Sequence, residues 1–339
     1  MRPFVFVRGE SPEQAILAAT SDDRQAPSVQ ADGQFLAGGT TIVDLMKLDV
    51  MRPQKLVDIN PLQERLGKIE ADHRGLRLGS LVRMAQAAEH EAVRRDYPVV
   101  AESLHLAASQ QIRNMASLGG NVLQRTRCTY FRDVSWAACN KRSPGSGCAA
   151  LGGESRKHAI LGTSDDCIAT YPGDFAQALM VLDAQVDIGG ANGRRSLAFA
   201  DLHRAPAGTP NVETQLAPGE LILGFSIPAG PWTRRSRYLK IRDRESYEFA
   251  LASAAVALHL EAGTVREARI ALGGVATVPW RAREAEAALK DQRLDEQAAI
   301  RAAEAAFAGA MTTEYNAYKI PLGKQTLVRA LLDAGRMEG

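Results

Sequence analysis

The sequence predicts an α+β fold built from more than one unit, and three observations carry that expectation. Strands and helices alternate over short loops in the first 60 residues. A Gly/Pro break at Ala229-Gly230-Pro231 precedes three strand-like runs and then alanine-rich helices. Between these regions lies a long loop-rich segment, Gln110 to Thr170, that holds all four cysteines. Loop segments of this length inside a domain are usually functional. The 339 residues, 45% hydrophobic and 24% charged, suit two or three globular domains.

Each element has a local cause. Phe4 to Val7 is a short β-type run, and Ser11-Pro12-Glu13-Gln14 starts a helix with Ser11 as N-cap and Gln14 placed for a capping box. Gln34 to Ala37 reads as a strand running into Gly38-Gly39. A helix follows over Thr40 to Val50, where Ile42, Leu45, Met46 and Asp49 keep helical spacing. Lys55 to Ile59 is the next strand. Leu66 to Leu81 reads as a hairpin turning at Asp72-His73-Arg74-Gly75, and Ser80 to Tyr97 and Val99 to Ser109 read as helices. Asp174 to Asp183 is helical, with strands near Gln185–Gly189 and Leu221–Ile227. Beyond the break, Arg237–Arg242, Leu251–Glu261 and Val265–Leu272 read as antiparallel strands. Helices over Trp280–Lys290 and Asp295–Ala310 follow, with a terminal one from Lys324.

Composition excludes several functions. Lys plus Arg (41) nearly balances Asp plus Glu (39), and aromatics are 6%, so neither a basic field nor stacking platforms for nucleic acid are present. The longest mainly apolar run, Phe249 to Leu260, has 12 residues, short of the roughly 20 that span a bilayer. Met1 to Glu10 lacks the order of a signal peptide, so no export signal of its own is expected.

Three motifs carry chemistry. Leu36-Ala37-Gly38-Gly39-Thr40-Thr41 sits at a strand-to-helix junction, where glycines admit close backbone approach and free N–H groups favour phosphate. Its plain alternative is a tight turn with a threonine cap. Gln111 through Leu118-Gly119-Gly120-Asn121 is a second diglycine loop, with a loop needing positive φ as its alternative. Two such loops suggest a dinucleotide gripped from both sides, while the missing Gly-x-Gly-x-x-Gly argues against an ordinary Rossmann site. The third motif is Cys128-x10-Cys139-x8-Cys148-x18-Cys167. Four thiolates suit an iron–sulfur cluster or zinc, and free or disulfide thiols also stay open on spacing alone. Arg125, Arg127, Arg132, Lys141 and Arg142 surround the cysteines and are expected to offset a thiolate cluster's negative charge. The histidines, His73, His90, His105, His158, His203 and His259, form no ligand pair within one helical turn. Lys240 reads locally as a solvent-facing strand residue, and Asp174 as a helix cap.

Taken together these residues resemble the FAD-binding subunit of the molybdenum hydroxylases, the xanthine dehydrogenase and aldehyde oxidoreductase family. The landmarks, in family order, are Ala37-Gly38-Gly39-Thr40, Arg113-Asn114 through Gly119-Gly120-Asn121, Asp174, Leu221 to Pro228, Lys240, and Gly273-Gly274-Val275-Ala276 with Pro279 and Arg281. The likeness is greatest to flavin subunits of bacterial three-subunit periplasmic aldehyde oxidoreductases. It lies in Asp44-Leu45-Met46-Lys47-Leu48, Leu123-Gln124-Arg125-Thr126-Arg127-Cys128, and Cys139-Asn140-Lys141-Arg142 through Gly147-Cys148-Ala149-Ala150-Leu151.

The resemblance implies an α+β, two-part FAD-binding fold of the vanillyl-alcohol-oxidase/CO-dehydrogenase flavoprotein type. This is a small α/β unit plus a mixed sheet, with a C-terminal three-stranded antiparallel sheet and helices. The expected domains are 1–60, 61–230 with a [4Fe–4S] insert at about 122–172, and 231–339. By the same likeness Leu36, Ala37, Gly38, Gly39, Thr40, Thr41 and Ile42 hold the FAD pyrophosphate, and Ser117, Leu118, Gly119, Gly120 and Asn121 form the second loop. Ser109 joins the cofactor set. Asp174 belongs near ribityl or ribose hydroxyls, Ile222 against flavin or adenine, and Lys240 near the cofactor's polar edge. Cys128, Cys139, Cys148 and Cys167 ligate a [4Fe–4S] cluster, with zinc the lesser alternative.

The implied role is an electron-transfer subunit with no catalytic residue of its own toward aldehyde. A molybdenum-cofactor large subunit and a [2Fe–2S] small subunit complete a heterotrimer or larger complex, and electrons leave through FAD to an external acceptor. Rival expectations are a self-sufficient flavin oxidase and a zinc-stabilised assembly subunit. Periplasmic residence requires co-export with a twin-arginine partner, and cytoplasmic residence is the other expectation.

Overall fold

The computed structural model of the chain describes residues 1–20 and 26–338. Its first unit comprises β1 (Val5–Arg8), α1 (Pro12–Ala19), β2 (Gly33–Leu36), α2 (Ile42–Lys47) and β3 (Lys55–Asp58). The strands form a parallel sheet in the order β1-β3-β2, with Val5 and Gly33 both in register with Lys55. Ser11 caps α1 by accepting from the Gln14 N–H at 3.2 Å. The Gln14 side chain returns a bond to the Glu10 N–H, one residue before the cap. Ala15, Ile16 and Ala19 of α1 pack on Val57, Ile59 and Leu62, which hides one face of the sheet.

The middle unit contains α3 (Gln63–Leu66), β4 (Ile69–Asp72), β5 (Gly75–Gly79), α4 (Met84–Glu89), α5 (Glu91–Asp96), α6 (Pro98–His105), α7 (Gln110–Met115), α8 (Leu118–Val122) and α9 (Thr129–Arg132). It continues through α10 (Phe175–Val181), β6 (Gln185–Gly190), β7 (Gly193–Ala198) and β8 (Leu221–Pro228). Its five strands run β4-β5-β8-β6-β7. The sheet is antiparallel throughout rather than mixed, because its chain-adjacent strands are hairpins and β8 enters antiparallel to both β5 and β6. The helix expected over Ser80 to Tyr97 is two short ones, since His90 takes an extended conformation (φ −65°, ψ 128°) between them.

The last unit holds β9 (Ser236–Ile241), β10 (Ala252–Glu261), β11 (Thr264–Gly273), β12 (Trp280–Arg281), α11 (Arg283–Leu289), α12 (Glu296–Ala306) and α13 (Lys319–Gly335). The sheet order is β12-β11-β10-β9. The fourth strand, absent from the expected three, has two residues, too few to show a period-2 pattern. β10 and β11 join through Ala262 (φ 47°) and Gly263 (φ 80°), the double positive φ that a two-residue hairpin requires.

β10 explains how the units stack. Ala254, Val256 and Leu258 face α11 to α13, while Ala255 and Ala257 face the middle unit. Small side chains on that second face let Val99, Val100 and Leu104 of α6, and Phe175 and Leu179 of α10, pack between the two sheets. The order of layers is sheet, helices, sheet, helices, and each buried aliphatic side chain contributes about 1.5–3 kcal/mol.

The cysteine insert is tied down at both ends. Phe131, fully buried, enters a cluster with Leu45, Met46, Met51 and Leu56 of the first unit. On the other side Ile160 N–H donates to Val275 O at 2.8 Å, and Leu161 bridges Ala276 in the last unit. Phe131→Ala therefore costs about 3–5 kcal/mol by cavity formation. Chemical denaturation should register that loss, and limited proteolysis should show cleavage rising first at residues 143–147.

Candidate functional site

An open cleft, with about 1520 Å³ of empty space counting its mouth, lies where the first unit, the middle sheet and the insert converge. Ala37, Gly38, Gly39, Thr40, Thr41 and Ile42 line it on one side, Ser117, Gly119 and Gly120 on another, and Ile222 forms part of its floor. The Gly39, Thr40 and Thr41 N–H groups have no acceptor among the described residues, and Thr41 caps α2 without a side-chain bond. Free backbone donors grouped in this way suit an anionic ligand such as a pyrophosphate.

The glycines do different work. A Cβ on Gly38 would stand 1.9 Å from Met115 O, so Gly38 allows the loop to pack on the end of α7. Gly39 has φ +73°, a left-handed conformation that other residues resist. Gly119 donates to Ser80 O at 2.8 Å and packs on that residue. A Cβ on Gly120 would meet only Ser117 Oγ, at 3.0 Å, and otherwise face open space. Ser117 Oγ accepts from the Gly120 N–H at 3.2 Å and so holds the second loop's shape.

Leu36, Ser109, Leu118, Asn121, Asp174 and Lys240 do not line this cleft. Leu36 ends β2, and Ser109 caps α7 by accepting from the Ile112 N–H. Leu118 is fully buried in the middle core, and Asn121 donates toward Met84 Sδ. Asp174 and Lys240 form a buried ion pair at 2.8 Å, with Tyr238 Oη donating to the other Asp174 oxygen at 2.5 Å. Lys240 is thus neither solvent-facing nor unpaired, and Asp174 makes no side-chain cap to α10.

The insert supplies a wall that local sequence does not reveal. Arg125 Nη2 donates to Glu213 Oε1 at 2.7 Å, and Lys141 Nζ lies 3.6 Å from the same oxygen. Burial pushes the Glu213 carboxyl up, but Arg125 and Lys141 outweigh it and hold it below the ordinary carboxylate range. Arg125 also stacks on Phe131, 4.6 Å from the ring centre. Nearby, His203 Nε2 and Tyr171 Oη both reach Val122 O at 3.0 Å, closing the end of α8. Burial lowers His203 to about 4, so the ring is neutral.

The four cysteines surround a second, smaller cavity of about 280 Å³ of empty space counting its mouth. Cys139 and Cys148 face each other in a bridge, and none of the four is in a disulfide. Cys148 is lowered to about 6, chiefly because Cys167 donates to it, and Cys167 is raised in turn. Burial pushes Cys128 up to about 11. Among the described residues no three His, Cys, Asp or Glu groups are placed to hold a single metal ion. Four sulfurs around one space are the donor set that either an iron–sulfur cubane or zinc would require.

The expected arginine compensation is corrected. Arg127 and Arg132 bind Asp44 at 3.2 and 2.8 Å, Arg125 binds Glu213, and Arg142 donates to Tyr130 and Phe131 carbonyls. These carboxylates and carbonyls out-compete thiolates because they are harder acceptors within reach. Of the five basic residues Lys141 alone lines the cysteine cavity, and Lys141 and Ala169 line both cavities.

Comparison with known proteins agrees with this geometry. Residues 5–230 match the FAD binding domain in molybdopterin dehydrogenase, and residues 237–334 the CO dehydrogenase flavoprotein C-terminal domain. The chain belongs to the FAD-binding subunits of the molybdenum hydroxylases, and is an oxidoreductase subunit of the aldehyde oxidoreductase and xanthine dehydrogenase family. Over 336 residues it is 45% identical to the aldehyde oxidoreductase FAD-binding subunit PaoB of Escherichia coli (strain K12), covering 98% of this chain and 99% of that one. The carbon monoxide dehydrogenase medium chain of Afipia carboxidovorans is 27% identical over 79% of this chain and 75% of its own. The solved Cu,Mo-CO dehydrogenase superposes with TM-score 0.74 at 25% identity, covering 99% of each chain. FAD is the group this family binds, and the free loop donors and the open side of Gly120 fit it.

Two outcomes are expected. Gly120→Leu should fold yet lack flavin absorbance, because its side chain enters the cleft; stoichiometric FAD in that variant would overturn the assignment. His203 makes stability fall with acid. Its folded value lies below the ordinary 6.5, so stability is full above about pH 6.5 and is lost as pH drops toward 4, at roughly 1.4 kcal/mol per pH unit. Denaturation midpoints measured across that window should fall less steeply in His203→Gln.

Proposed function

We propose that this chain is the FAD- and [4Fe–4S]-carrying electron-transfer subunit of a molybdenum-dependent aldehyde oxidoreductase. The observation that carries the reading is the 45% identity along virtually the whole length of a relative named as an aldehyde oxidoreductase FAD-binding subunit. The convergence of Cys128, Cys139, Cys148 and Cys167 on one cavity supports the cluster. Several relatives are named medium chains, which supports assembly with a larger molybdenum subunit and a smaller [2Fe–2S] subunit.

When bound, FAD supplies a two-electron store that exchanges with one-electron iron–sulfur centres and with an external acceptor. The chain's own residues hold and insulate. The Gly39 to Thr41 amides would hold the pyrophosphate, and Gly120 would leave room for it. Arg125, Glu213 and Lys141 close the wall between the cleft and the cysteine cavity. Substrate oxidation falls to the molybdenum subunit, so no acid–base residue of this chain is assigned to the aldehyde.

Purified complex should contain about four iron and four sulfide per copy of this chain beyond those of the [2Fe–2S] subunit. A Cys148→Ser change should remove them. About one zinc with no added sulfide would refute the cluster. Expressed alone, the chain should show negligible aldehyde oxidation and regain it with both partners; full turnover by the isolated chain would refute the subunit reading.

A further inference from the structure

His158 lies 30 residues from Cys128 in sequence, yet its Nε2 sits 3.2 Å from the Cys128 Sγ. The residue is 6% exposed, and its second ring nitrogen, Nδ1, is buried without a partner. Its main chain is fixed on both sides. The His158 N–H donates to Ser155 O at 2.9 Å, and the Ala159 N–H donates to Ile168 O at 3.0 Å. The fold of the insert therefore fixes the main chain that carries the ring beside the sulfur.

A neutral imidazole carries one ring proton, and a ligating thiolate is an acceptor only. Nδ1 offers that proton no acceptor, whereas Nε2 faces one. We propose that His158 is a positioning residue that donates its Nε2–H to the Cys128 sulfur and thereby raises the reduction potential of the [4Fe–4S] cluster. This inference rests on the cluster reading above. The physical reason is that a donor on sulfur stabilises the form with more negative charge, which is the reduced one. The bond also fixes the direction of the Cys128 side chain within the cavity.

The test is an electron paramagnetic resonance titration of the intact complex, with iron, sulfide and FAD measured on each sample. His158→Phe keeps the ring volume and removes the donor, and its cluster potential should move to a more negative value while FAD content and flavin potential stay unchanged. His158→Gln places an N–H near the position of Nε2 and should recover most of the shift. A cluster present at its original potential in His158→Phe overturns the proposal. So does a His158→Gln variant that matches His158→Phe in potential or in cluster loss, since the ring then only packs. Wild-type complex lacking the extra iron and sulfide would instead overturn the cluster reading itself, so the two failures are distinguishable.

Discussion

A buried carboxylate held by two cations organises this protein around its two cavities. Glu213 comes from the middle unit, and Arg125 and Lys141 come from the insert. Removing Glu213 would leave two buried cations without a counter-charge, a loss typically of about 3–5 kcal/mol. Because the pair spans 88 residues of chain, it fixes the insert's position against the sheet as well as neutralising charge. Lys141 then lies against both the open cleft and the cysteine cavity, so the same contact sets the spacing between them.

The layers beneath that contact explain why the cleft keeps its shape. Alanines on β10 and the apolar faces of α6 and α10 form an apolar interior between the two sheets. The glycine loops ride on this frame. Gly38 and Gly119 are needed because backbone or small side chains press against them, while Gly39 and Gly120 leave conformation and space for a ligand. One loop motif thus contains a glycine that backbone packing requires next to one that keeps the cleft open.

Polar groups deep in the site are only partly satisfied by the protein itself. His158 and His203 each bury an Nδ1 without a partner, beside the cysteine cavity and the cleft respectively. Burying such a nitrogen costs about 1–3 kcal/mol, and that cost recurs where an interior is arranged for function and not for stability alone. Asp174, Tyr238 and Lys240 show the opposite case, a fully paired network whose members satisfy each other.

Much was legible in the sequence where the cause was local. The Ser11 cap, the hairpin at Asp72 to Gly75, the strands from Leu221 and Ala252, and the two diglycine loops all follow from propensity and φ requirements acting over a few residues. The grouping of four cysteines within 40 residues was equally legible, and the fold brings all four to one cavity. Partner choice was not legible. Nothing near Arg132 in sequence indicates Asp44, 88 residues away, and nothing near Lys240 indicates Asp174. The break at His90 and the two-residue β12 also escaped, since tertiary contacts outweighed local preference there. Local backbone rules operate within one or two turns, so the sequence by itself determined most of the elements and the grouping of the cysteines. Which charges meet, which loop residues face the cleft, and where His158 points were decided only when distant segments packed, because side-chain hydrogen bonds and ion pairs form at about 3 Å, and only the tertiary fold brings such atoms together.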